Sequence, residues 1–232
     1  MGFLLQSLCD AIQLILRLDH ELLGALSTTL RVSISSTAIA SAIALPLGFL
    51  MALREFPGKR IVLGFLRTAL ALPTVVVGLF VYAFITRHGP LGNMQLLFTQ
   101  TAIVIGQVLL IIPLITALVH SALQEGVRVV YEEATLLGAS PFEASWKVLV
   151  EARLAVVTAL MTGFGRVVSE VGVSLLLGGN IRGLTRTITT AITLETSQGS
   201  FSVAFALGVI LLSLVLLVNL VIQATSSRSE AV

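Results

Sequence analysis

Five long apolar stretches, at residues 32–53, 61–85, 101–123, 154–177 and 201–222, decide what this chain can fold into. Each is long enough to cross a hydrocarbon core, which takes about 20 helical residues. A backbone inside a bilayer has no water to bond, so it closes its hydrogen bonds as a helix or joins a closed barrel. The apolar residues here run unbroken instead of alternating, and that selects helices. Composition points the same way: 56% of residues are hydrophobic and 11% charged, against about 25% charged in soluble domains. The expected fold class is an all-α membrane protein with five transmembrane helices. A net charge of +2 without a basic stripe gives nucleic acid nothing to bind.

The first residues read differently. Gln6, Asp10, Gln13 and Arg17 recur at helical spacing, and Leu4, Leu5, Leu8, Ile12, Ile15 and Leu16 cover the other faces. Residues 1–24 are therefore expected as an amphipathic helix lying in the membrane interface. No positive charge precedes the apolar run, which argues against a signal peptide. Residues 226–232 are expected as a polar tail.

Loop charges set the expected orientation. Arg54, Lys59, Arg60, Arg128, Lys147, Arg153 and Arg228 fall on one side, and Arg17, Arg31, Arg87, Arg182 and Arg186 on the other. The richer side belongs in the cytoplasm. It holds the loop at residues 124–153.

That loop contains a legible elbow. Gly138 stands where a helix would end on a left-handed residue. Ser140, Pro141 and Glu143 then read as N-cap, first helical position and N3, a capping box with the favoured proline. One helix stops and another starts at once, carrying Phe142, Trp146 and Val148. Such an elbow either packs on its own membrane domain or is received by a partner.

The residues Glu132-Glu133-Ala134 with Gly138 four positions after the alanine resemble the Glu-Ala-Ala…Gly loop of ABC importer permease subunits. In that family the loop forms a coupling helix that inserts into a cytoplasmic ATPase. Glu132, Glu133, Ala134, Gly138, Ala139, Ser140, Pro141 and Phe142 are the coupling residues this implies. Two departures stand out. Val150-Glu151 occupies the place of the usual Leu-Pro, and Glu133 replaces an alanine. The resemblance extends over residues 25–225 and implies a type I importer core. Ser169-Glu170-Val171-Gly172-Val173-Ser174 and the segment from Gly179 to Thr187 are similar to oxyanion permeases for molybdate and tungstate, and the run from Thr187 to Thr196, with Glu151-Ala152-Arg153, looks most like the tungstate branch. Implied with it are a homodimer in a bacterial or archaeal plasma membrane, two copies of a cytoplasmic ATPase and an extracytoplasmic oxyanion-binding protein. Molybdate and sulfate are the alternative cargoes.

Arg166 and Glu170 lie one helical turn apart inside the fourth stretch. Charges in hydrocarbon cost at least about 2.5–3.5 kcal/mol, so they face protein or a water-filled cavity. The pair either locks helices together or, with Ser169 and Ser174, lines the path. Arg182 and Arg186 are read as contacts for a docked binding protein or as groups that attract an anion, the alternative being a solvated loop. The chain has no nucleotide-binding glycine loop, so ATP belongs to another polypeptide and the chain itself is expected to be no enzyme. No cofactor or metal is expected. Cys9 is the only cysteine, and His20, His88 and His120 show no ligand spacing. An ion-coupled secondary transporter is the remote alternative, against which only one stretch carries paired charges and no inverted repeat is visible. An intramembrane enzyme would need a nucleophile motif such as Gly-x-Ser-x-Gly, which does not accompany His120.

Overall fold

The computed structural model describes residues 12–13, 20–124 and 127–230. Among them the regular elements are helices: α1 (His20–Leu53), α2 (Lys59–Leu70), α3 (Thr74–Ile85), α4 (Gln100–Gln124), α5 (Val127–Leu136), α6 (Pro141–Glu151), α7 (Arg153–Val168), α8 (Gly172–Gly178), α9 (Ile188–Ser197) and α10 (Phe201–Glu230). A 3-10 turn at Gly92–Met94 lies between α3 and α4.

Helix α4 is the hub, with α1, α2, α3, α7 and α8 all packed on it. Its Ile111, Ile115, Val119 and Leu123 form one core with Ala40 and Ala44 of α1, Val148 of α6, and Ala159 and Val167 of α7. Leu53 and Tyr131 pack against the same cluster, so the end of α1 and the elbow share one end of the molecule. At the other end, Leu22 and Ala25 of α1 meet Ile188 and Ala191 of α9 and Leu207 of α10. The short helix α8 is wedged between α3 and α4 on glycines. A Cβ on Gly106 would lie 2.5 Å from Val173 Cγ1 and 2.6 Å from Leu177 Cδ1, and one on Gly78 3.1 Å from Leu176 Cδ1. Small residues permit this approach where helices associate without a hydrophobic drive.

Three helices, α1, α4 and α10, are long and apolar enough to cross a membrane alone. The other two expected spans are bent. Helices α2 and α3 meet at 100°, and each has 12 residues, about 18 Å at 1.5 Å per residue. The break is at Pro73, which has no N–H to donate and excludes helical geometry from Leu72. Pro46 and Pro113 sit inside continuous helices. The fourth stretch also departs from a single helix. α7 bends by 69° from α6 at its start and ends at Val168, and α8 begins at Gly172. Counting each bent pair as one span gives up to five.

The ends differ as well. Among the described residues α1 is continuous from His20 through residue 32, so residues 20–24 lie in the same helix as the first apolar stretch. The rest of the expected interfacial helix lies outside the described residues, apart from 12–13. α10 runs to Glu230, through most of the expected tail.

Candidate functional site: the elbow and the broken helix

The elbow folds as its local chemistry requires. α5 closes with two bonds that cross at its end: Gly138 N–H donates to Thr135 O at 3.1 Å and Ala139 N–H to Ala134 O at 3.0 Å. This paired closure needs a left-handed residue, and Gly138 has φ +92°. The next helix starts within two residues. Ser140 N–H donates to Glu143 Oε2 at 2.7 Å, and Glu143 N–H donates back to Ser140 Oγ. Hydrogen bonding to the carboxyl, first from the Ser140 hydroxyl and then from the Ser140 N–H, holds Glu143 below the ordinary glutamate range. The reciprocal cap is therefore worth most when Glu143 is ionised. Its contribution is complete above the ordinary glutamate range and lost as pH falls through the depressed value. Ser140→Ala should cost the start of α6 about 1 kcal/mol, read as faster hydrogen exchange at residues 142–146.

What the elbow presents is apolar. Leu136, Leu137, Phe142 and Trp146 are between 60% and 90% exposed. Ala144 and Val148 of the same turns are buried and tie α6 to the core. Val148 is thus an anchor and not part of the exposed face. A cavity of about 490 Å³ between α5 and α6 is lined by Glu133, Ala134, Gly138, Ala139, Glu143 and Lys147, among others. Glu132, Ser140 and Pro141 are exposed beside it.

The second constellation sits at the break between α7 and α8. The Arg166 Nη1 to Glu170 Oε2 distance is 3.3 Å, with the arginine side chain 42% exposed and the glutamate 2%. Glu170 Oε1 also accepts from Val173 N–H at 3.2 Å, capping α8. Its backbone carbonyl accepts from Thr189 Oγ1 at 2.8 Å. The four residues predicted for the path therefore divide. Arg166 and Ser169 are exposed, whereas Glu170 and Ser174 lie behind them in the core.

Along the exposed face of α7 the pattern continues at Thr158 and Thr162, which sequence spacing alone did not single out. The Thr158, Thr162 and Ser169 hydroxyls donate to Leu154 O (2.9 Å), Thr158 O (2.8 Å) and Gly165 O (2.9 Å) of their own helix. With Ser121 of α4, Thr158 and Thr162 line a cavity of about 510 Å³. The signal was available in sequence as hydroxyls at i and i+4 running up to Arg166.

At the far end, the two arginines predicted to meet a docked protein are engaged within the chain. Arg182 Nη2 lies 2.7 Å from Glu21 Oε2, and Arg186 pairs with Glu21 Oε1. Ile188 N–H donates to Thr29 Oγ1 at 2.9 Å, so the start of α9 is fastened to α1. Arg182 remains largely exposed, whereas Arg186 is mostly covered. Among the described residues no group of three or more His, Cys, Asp or Glu is placed to hold a metal.

A protein family described as "Binding-protein-dependent transport system inner membrane component" matches residues 44–230. The chain belongs to this family. The permease is 39% identical over 198 residues to a "Probable anion ABC transporter permease protein" of Haloferax volcanii, covering 83% of this chain and 85% of that protein. It is 35% identical over 222 residues to the "Tungstate uptake system permease protein TupB" of Peptoclostridium acidaminophilum, covering 96% and 97%. Among solved structures it is similar to a chain of a bacterial ABC transporter for alginate import, with a TM-score of 0.75 at 17% identity, covering 94% and 82%. That likeness is one of fold. The permease is a multi-pass protein of the cell's inner membrane. The elbow also accounts for the missing Leu-Pro: Ala152 N–H bonds Val148 O and Val150 O, and the chain turns there without a proline.

Proposed function

We propose that the chain is the membrane permease of an ATP-driven oxyanion importer, and that tungstate is its cargo. The observation that carries this is the match to a tungstate permease along almost the whole length of both chains. The likeness to an anion permease supports the same class. In this reading the elbow end faces the cytoplasm, and Leu136, Leu137, Phe142 and Trp146 seat in an ATPase subunit that hydrolyses ATP. Glu132, Glu133 and Ala134 form the last turns of the helix leading into it.

Two copies related by a two-fold axis would bring their α7 faces together around a path. Thr158, Thr162, Arg166 and Ser169 line it, with Ser121 at its edge. The hydroxyl protons are engaged by carbonyls of the same helix, so they offer an anion no deep well. Glu170 offsets the positive field of Arg166. A path without a tight site lets the anion leave as readily as it enters. ATP binding draws the two elbows together, the path opens outward, and the anion arrives from an extracytoplasmic binding protein; hydrolysis reverses the motion. With both far-end arginines paired to Glu21, Arg182 is the one with surface to offer that protein.

The test is uptake in a strain lacking the gene and complemented with it. Tungstate uptake should stop when ATP is depleted and continue when the ion gradients are collapsed. Uptake that follows the gradients instead would indicate a secondary transporter. Competition by molybdate or sulfate at equal concentration should be weak, and strong competition would reassign the cargo.

A further inference from the structure

Gln107 is 1% exposed in the first third of α4. A polar side chain at that depth is expensive unless it is used. Its Nε2 donates to Val167 O at 3.3 Å, and its Oε1 accepts from Ser36 Oγ at 2.7 Å. The amide's orientation follows from its partners, because a carbonyl only accepts and so must face the NH₂. Val167 O lies in the last turn of α7, where the chain leaves the helix and Glu170 N–H turns back to it at 3.2 Å. A side chain from α4, aimed from α1, therefore grips the backbone at the point where the fourth stretch breaks.

Neither partner needs Gln107 to be satisfied. Val167 O keeps the Glu170 N–H. Ser36 has one hydroxyl proton and three acceptors in reach: Gln107 Oε1, Val32 O and Ser33 O. When Gln107 withdraws, that proton returns to the serine's own helix, as helical serines allow. Deleting the amide orphans no buried group, and orphaned groups are what make lost hydrogen bonds costly. The bond is poorly placed to hold the fold together and well placed to set the geometry of the break.

We propose that Gln107 is a positioning residue for transport: its bond to Val167 O sets the geometry of the break between α7 and α8. Ser36 aims it. Thr189 grips the other side of the break through Glu170 O. Gln107 touches no transported anion and acts through the backbone that carries Arg166 and Glu170. The proposal rests on the importer reading above.

The experiment uses the complete importer in proteoliposomes, with Gln107→Met, Ser36→Ala and the double variant. Anion transported per ATP hydrolysed is measured beside the thermal midpoint of each solubilised complex. Gln107→Met should keep its midpoint and its KM for the loaded binding protein, and its transport per ATP should fall about tenfold. Ser36→Ala should fall about threefold. The double variant should be no worse than Gln107→Met, because one residue acts through the other. An unchanged ratio in Gln107→Met overturns the proposal. So do effects that multiply in the double variant, or a Gln107→Met complex that melts well below wild type, which would make the residue structural. A wild-type complex without ATP-driven uptake would remove the importer reading and this proposal with it.

Discussion

Serine at Leu136, Leu137, Phe142 and Trp146 together should strip the ATPase from the solubilised permease while leaving the membrane domain folded. All four are exposed, so their removal opens no cavity. Each large apolar side chain fully buried at an interface is worth about 1.5–3 kcal/mol. Four lost anchors amount to about 6 kcal/mol or more, of which interfaces return only part as affinity. At about 1.4 kcal/mol per factor of ten, binding should weaken by about a thousandfold. The check is co-purification of the ATPase beside the melting midpoint of the permease alone. Full retention of the ATPase would show that it docks elsewhere. Gly138→Pro should give the same loss by a different route. Proline holds φ near −65°, which cannot match +92°, and it has no N–H for Thr135 O. Retention there would mean that the elbow's shape is dispensable.

Arg166→Ala is expected to harm the protein more than Glu170→Gln. Spacing alone treats the two as equals; burial separates them. The glutamate side chain is 2% exposed and the arginine 42%. Removing the arginine leaves a buried carboxylate whose remaining side-chain bond is the Val173 N–H. Breaking a fully buried pair costs about 3–5 kcal/mol, and the cost here should be smaller because solvent reaches the arginine and the Val173 N–H remains. Glu170→Gln keeps an acceptor for Val173 N–H and leaves an arginine that water can reach. Its stability cost should stay near 1 kcal/mol, the net value of an ordinary hydrogen bond. The check is the melting midpoint of each variant in the same detergent. A larger loss in Glu170→Gln would show that the arginine, and not the glutamate, is the buried partner in the working protein.

The parts legible in sequence are those whose cause is local. Gly138, Ser140, Pro141 and Glu143 announce the elbow because caps and left-handed turns act over a few residues, and the structure forms those bonds. The i,i+4 placement of Arg166 and Glu170 was readable for the same reason. Long-range partners were not. Glu21 lies 165 residues from Arg186, and nothing in the spacing of either shows that they meet. Gln107 and Ser36 read as stray polar residues in apolar stretches until packing brings them together. The breaks at Pro73 and after Val168 were hidden by hydropathy, which counts apolar residues and ignores direction. Of the three prolines in the first three stretches, Pro46 and Pro113 lie inside continuous helices and Pro73 stands between two. The hydroxyl face of α7 shows that polarity on one side of an otherwise apolar helix carries more information than the stretch's mean.

The decisive measurement is accumulation of labelled tungstate in proteoliposomes holding the permease, its ATPase and its binding protein. Tungstate should accumulate against its gradient only with ATP inside the cytoplasmic compartment and loaded binding protein outside, and the serine-substituted elbow should abolish it. Accumulation that persists without ATP, or that survives loss of the elbow's four apolar residues, would contradict the importer reading.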